Sequence, residues 1–309
     1  MKCILFFFFC VSFLAACAGA SAIPAPSETL SLPTETIVLT TPTTSPIPTQ
    51  TASLTPDPRL PPERWQEWPV VPEHVSPRTL EIYRRGLELG NNPQAFSKIG
   101  DGGASTVWFL THYDLDPAYY NLGEYSDLQP VIEDFAGSFG RTSLAAGRGF
   151  NTTIILDPAY ADKQQCDAGE SPLDCELRHQ RPSFVFFSVG TNQVWYPEIF
   201  ETELRIIVER LLERGVIPFL STKADNREGD QRINQIIASL AYDYDLPLWN
   251  FWLAVQHLPN HGLQADLEHL TWAGPYFDDP VRMRSAWSWR NLTALQTLDA
   301  VYRGVTVQH

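Results

Sequence analysis

The chain has 309 residues, 44% of them hydrophobic and 12% aromatic, enough for one large domain with a sizeable core. A formal net charge of −14 excludes a nucleic-acid binder that works through a basic surface. Seven histidines form no HExxH or other strong metal spacing, so the chain is read as needing neither a metal nor a cofactor.

Lys2 precedes the apolar run Ile4 to Leu14, which is short for a membrane span and fits the hydrophobic part of a signal peptide. Leu14-Ala15-Ala16-Cys17 closes the run and resembles the lipobox of bacterial lipoproteins, whose cysteine becomes the lipid-bearing first residue. Residues 1–17 are therefore expected to be a signal peptide with a lipobox, with Cys17 the lipidation site and membrane anchor. The other reading is an ordinary secretory signal in which Cys17 is incidental. Either one makes the mature chain extracytoplasmic, as a membrane-anchored lipoprotein or a secreted protein. Pro, Thr and Ser dominate residues 18–62, and no apolar periodicity survives there, which predicts a disordered linker. The folded domain is expected over 63–309.

Within that domain, Ser76-Pro77 reads as a helix start, Leu80, Ile82, Tyr83 and Leu87 give a helical stripe, and Gly90 ends it. A short strand follows, Ala95 to Ile99, breaking at Gly100 into the small-residue loop Gly100-Asp101-Gly102-Gly103-Ala104-Ser105. Residues 106–149 are irregular and aromatic-rich, with no firm element. Thr152 to Leu156 is expected to be a strand, ended by Asp157-Pro158. Cys166 and Cys175 share a Gly/Pro/Asp-rich loop and suit a disulfide in an oxidising compartment; a zinc site would need further ligands, and only His179 is near.

Ser183 to Val189 is an almost wholly apolar run, as expected for a strand buried on both faces of a parallel sheet. Pro197 to Arg214 reads as the clearest helix, with Phe200, Leu204, Ile207, Val208 and Leu211 on one face and Gly215 past its end. Val216 to Leu220 is a further strand, placed at an edge or bend by Pro218. A polar loop, Ser221 to Asp230, leads to a helix through Ile233, Ile236, Ile237 and Leu240. Leu246 to Asn250 is a short strand, and 282–303 reads as the final helix. Strand and helix alternate from residue 183 onward, which implies a three-layer α/β/α sandwich with a parallel central sheet, flavodoxin-like in architecture.

Three stretches carry chemistry. Gly100-Asp101-Gly102 stands at the first strand end, Gly190-Thr191-Asn192-Gln193 after the buried strand, and Asp266-Leu267-Glu268-His269 in a late loop. Their order resembles the SGNH, or GDSL-type, hydrolases. In that family the first block is Gly-Asp-Ser with a nucleophilic serine, the third is Gly-x-Asn-Asp with an oxyanion-donating asparagine, and the last is Asp-x-x-His. The resemblance implies an ester hydrolase of acylated carbohydrate or similar extracellular esters. It puts Gly102 at the nucleophile position, Asn192 and Gly149 at the oxyanion hole, Asp266 and His269 as the orienting acid and general base, and Asp101 and Gly190 beside the substrate.

Two departures matter. Gly102 has no nucleophilic atom, and Gln193 replaces the acid after Asn192. Ser105 is the nearest substitute, one helical turn on; Ser97 is expected to face away from the pocket. Elementary chemistry supports the rest: an imidazole held by a carboxylate serves as general base, and an amide at a strand end can meet a developing oxyanion. The expectation is an impaired or inactive hydrolase. The alternative is a catalytically dead lipoprotein that binds a glycan or other cell-surface ligand, with Trp108, Tyr113, Trp195 and Trp272 available for stacking on sugar. The Ser221–Asp230 loop can line the pocket or face solvent, and Glu268 and His261 are read as solvated loop residues.

Overall fold

The computed structural model describes residues 59–307. The expected signal peptide, the expected Cys17 anchor and the part of the expected linker up to residue 58 lie outside the described residues. Among the described residues no helix is long and apolar enough to cross a membrane.

A 3-10 turn, Pro62–Glu67, puts Trp65 into the core. Arg59, inside the stretch read as linker, already donates to Asp245 at 3.0 Å. Helix α1 spans Pro77–Glu88, and Ser76 caps it by accepting from the Thr79 amide at 3.1 Å. Strand β1 (Asn92–Gly100) runs directly into the short helix α2 (Gly102–Ser105). The unassigned region that follows folds as 3-10 turns and one short helix, α3 (Gln129–Asp134).

Helix α4 (Thr152–Leu156) corrects the strand expected there. Asn151 caps it, its side-chain oxygen accepting from the Ile154 amide at 2.9 Å, and Thr152 donates from both amide and hydroxyl to Gln193. A cap and buried side-chain bonds outweigh the β-branched propensity of Thr152, Thr153, Ile154 and Ile155. Helix α5 (Pro172–Gln180) carries Cys175, which forms a disulfide with Cys166, while His179 turns to the carbonyl of Gln165 at 2.8 Å.

Strand β2 (Pro182–Ser188), helix α6 (Pro197–Glu213), strand β3 (Ile217–Ser221), helix α7 (Arg232–Asp243), strand β4 (Leu248–Trp249) and helix α8 (Phe251–Val255) follow in order. The last helix, α9 (Ala286–Thr306), starts later than expected because Arg282–Arg284 form a separate 3-10 turn and Ser285 is extended.

The four strands form one parallel sheet in the order β1-β2-β3-β4. Helices α6 and α7 connect consecutive parallel strands, touch each other and, by right-handed crossover, share one face; α1, α3 and α9 pack together on the other. The result is an α/β sandwich. Its core is aromatic on the α1/α9 side: Phe184 meets Tyr83 and Tyr302, and Phe186 meets Phe96, Phe109, Phe219 and Trp249 at 5.0–5.9 Å between centroids. Each such pair adds ~0.5–1.5 kcal/mol beyond its burial.

Pro218 does not mark an edge, since β3 lies between β2 and β4. Two residues on, the Leu220 amide donates toward the carbonyl of Pro247, and pairing with β4 begins only at Leu220. Alternation then points the missing Pro218 amide at the same side, ahead of the start of β4, where no acceptor is lost.

Candidate functional site

The end of β1 is built around a glycine. Gly100 has φ +150, and a Cβ there would stand 2.0 Å from the Ser188 carbonyl oxygen, so no side chain fits. Its amide donates to the Ala145 carbonyl and its carbonyl accepts from Gly147, both at 3.1 Å, which grips the strand end between β2 and residues 145–147. Asp101 then caps α2, accepting from the Gly103 amide at 2.8 Å. Burial pushes the Asp101 carboxyl up, partly opposed by that bond and by the charge of Arg290.

Gly102 opens α2. A Cβ built on it meets nothing closer than Cα and Cγ of Arg148, at 3.8 and 4.0 Å, which is ordinary contact. The position therefore has room for a side chain and lacks one. Ser105 does not fill it: the Ser105 hydroxyl is exposed and donates back to the Gly102 carbonyl at 3.4 Å. Ser97 faces the other side of the sheet, donating to the buried Glu176 at 2.5 Å.

Beside Gly102, residues Arg148, Gly149 and Phe150 lead to the next block, where Asn192 donates its side-chain amide to the Phe150 carbonyl at 3.0 Å. Asn192 and Gly149 thus lie in one bonded stretch. Gly190 makes that turn possible: φ is +125, and a Cβ would stand 2.6 Å from Cγ2 of Ile233 on α7. Gln193, which departs from the Gly-x-Asn-Asp pattern, is buried, and its carbonyl oxygen takes both donors of Thr152. The substitution holds α4 in place.

In the late loop His269 Nδ1 meets Asp266 Oδ2 at 2.7 Å. Asp266 Oδ1 accepts the backbone amides of His269 at 3.0 Å and Glu268 at 3.1 Å. Those two amides, foremost that of His269, and the imidazole hold the Asp266 carboxyl down at about 2, so it is ionised at neutral pH. With Nδ1–H given to this carboxylate, Nε2 is left as the acceptor, on a side chain that is 68% exposed.

Contacts link these stretches around one end of the sheet. Thr191 donates to Asp225 at 2.8 Å, and Arg227, two residues on, pairs with Glu268 at 3.1 Å. Asp225 also belongs to a buried cluster in which Lys223 donates to Asp225 at 2.8 Å and to Glu228 at 2.6 Å. Trp108, just past α2, meets Trp272, just past His269, at 6.1 Å between ring centroids. The Ser221–Asp230 loop therefore lines the site, and Glu268 is anchored by an ion pair. His261 sits apart in its own turn, contacting the Gln256 carbonyl at 3.1 Å. Tyr113 is core, not available to a ligand.

One residue was not foreseen. Arg290 on α9 is 4% exposed, donates to the Ser188 hydroxyl at 2.8 Å, and sits over the rings of Phe109, Trp249, Phe251 and Trp287 at 4.8–5.6 Å. Burial lowers its pKa to about 10, against the pull of Asp101. Its signal in the sequence was an arginine on the stripe of Trp287 and Ala294, where an apolar residue belongs.

No protein-family model matches the chain, and no curated protein matches it. Solved structures do. The resemblance is to GDSL-type hydrolases. One is an acetyl xylan esterase, at 14% identity and TM-score 0.39 over 65% of this chain and 97% of that one. Another is a G-D-S-L-family lipolytic protein from Desulfitobacterium hafniense DCB-2, at 13% and 0.39 over 66% and 99%. A third is a GDSL-like lipase from Bacteroides thetaiotaomicron VPI-5482, at 12% and 0.40 over 72% and 98%.

Proposed function

We propose that this chain carries an ester-hydrolase site whose nucleophile position is vacant at Gly102, leaving turnover impaired. The observation that carries the reading is the Asp266–His269 pair, with Nδ1 held at 2.7 Å and Nε2 free to accept a proton. The open space at Gly102 supports it. A serine there would lose its proton to His269 Nε2 and attack the ester carbonyl, with Asp266 stabilising the imidazolium. Asn192 and the Gly149 amide are the oxyanion donors in this reading, a contact worth ~3–4 kcal/mol when aimed at the developing charge. Without the serine, only residual catalysis from such donors and from substrate binding remains.

The same reading places the domain on a lipidated Cys17 and a Pro/Thr/Ser-rich tether outside the cytoplasm. The Cys166–Cys175 disulfide supports an oxidising compartment.

The test is short-chain aryl-ester hydrolysis by the parent and by Gly102→Ser. The expected result is a gain of at least ~10-fold, abolished in Gly102→Ser with His269→Ala, while Ser105→Ala leaves the parent unchanged. Ordinary enzyme rates in the parent that vanish in Ser105→Ala would refute a vacant nucleophile position.

A further inference from the structure

Two tryptophans on the rim of the site are exposed, Trp272 at 55% and Trp108 at 43%. Covering large apolar side chains is favourable, so a contacting indole pair left in water beside the candidate site is suited to meet a ligand. The two rings are 6.1 Å apart between centroids and inclined by 58°. Trp108 is braced from beneath by Trp287, at 5.9 Å, whereas Trp272 touches no other ring among the described residues. Trp108 follows the Gly102 helix and Trp272 follows His269, so the pair joins the two segments that carry the nucleophile position and the base in the proposed reading.

Polar groups stand on the same late loop as Trp272. Glu268 and Arg227, paired at 3.1 Å, keep about a third of their side-chain surface open, and Asp266 keeps about half. Aromatic faces on a loop that also carries half-open carboxylates, one of them paired to a guanidinium, match a ligand with an apolar C–H face and an edge of hydroxyls. A pyranose has that chemistry; an acyl chain has no use for the polar groups. The chain's charge of −14 favours an uncharged sugar over an acidic one.

We propose that Trp108 and Trp272 form a subsite for a neutral oligosaccharide, which holds the carbohydrate part of the ester against the rim. This rests on the hydrolase reading for the substrate's position, but the binding does not depend on turnover.

The experiment titrates the full chain with cellohexaose and xylohexaose, which carry no ester, by calorimetry and tryptophan fluorescence. Binding of at least one is expected, with Trp272→Ala weakening it at least tenfold and Trp272→Phe keeping most of it. Tyr160→Ala, an exposed aromatic in the Pro158–Tyr160 turn, serves as the control and should bind like the parent. The choice of Trp272 guards against misfolding, since Trp108 also packs on buried Trp287. Absence of binding to both sugars, or undiminished binding by Trp272→Ala, would overturn the proposal. So would binding to phosphatidylcholine vesicles that Trp272→Ala removes, which would assign the rim to lipid. Because no ester is present, failure here leaves the Gly102→Ser result standing, and failure of Gly102→Ser leaves this one standing.

Discussion

Lys98 sits on β1 with its ammonium donated to the Phe139 carbonyl at 2.8 Å and the Phe109 carbonyl at 3.4 Å. No ion-pair partner faces it among the described residues. Burial, reinforced by the charge of Arg141, lowers its pKa from 10.5 to about 8, with Asp114 opposing. The folded state therefore releases this proton more readily than the unfolded chain. Between pH 8 and 10.5 the unfolded chain binds more protons, so stability contributed at this site rises with pH. The full effect is on the order of 3 kcal/mol. Denaturant unfolding of the parent and Lys98→Met at pH 7.5 and pH 10 checks this: the parent should gain relative to the variant at the higher pH. A difference that does not change with pH would contradict it. At the candidate site a pKa is also lowered, but by hydrogen bonds from the His269 and Glu268 amides and not by burial. Asp266 is held at about 2, so its negative charge behind His269 persists as pH falls and is lost only near that value.

At the scale of elements, α4 is where local chemistry decided against propensity. Asn151→Ala removes the cap that accepts from Ile154 and should cost about 1 kcal/mol, lowering Tm by ~2–4 °C. An unchanged Tm would mean that the Gln193 and Glu203 contacts to Thr152 and Thr153 hold the helix alone. This element also shows why part of the fold was legible and part was not. β2 could be read because a strand buried on both faces is apolar throughout, and α6 because its stripe repeats over several turns. Thr152 to Leu156 could not, because its local cap at Asn151 is backed by bonds from Thr152 and Thr153 to Gln193 and Glu203 in distant segments. Pro218 misled because the late start of β4 is a property of the neighbour, not of β3. In the site, Gly100, Gly190 and the Asp266–His269 spacing were visible because each is local. The Arg227–Glu268 and Trp108–Trp272 contacts join residues far apart in the chain, and Arg290 is defined only by four rings from separate elements.

At the scale of the molecule, all four parallel strands end on one side, and the loops that leave those ends carry Asp101, Asn192, Asp225 and, beyond β4, His269. Open parallel sheets place their ligands there. Helix α9 closes the fold from beneath and sends Arg290 to the Ser188 hydroxyl, where β2 meets the β1 end. On the proposed reading, the one reacting atom of a hydrolase is missing here, at Gly102. A fluorophosphonate, whose phosphorus a nucleophilic serine attacks with loss of fluoride, reads this most directly by intact mass and peptide mapping. The account predicts no adduct on the parent and one adduct at residue 102 in Gly102→Ser, absent again when His269→Ala is added. An adduct on the parent at Ser105 would contradict it.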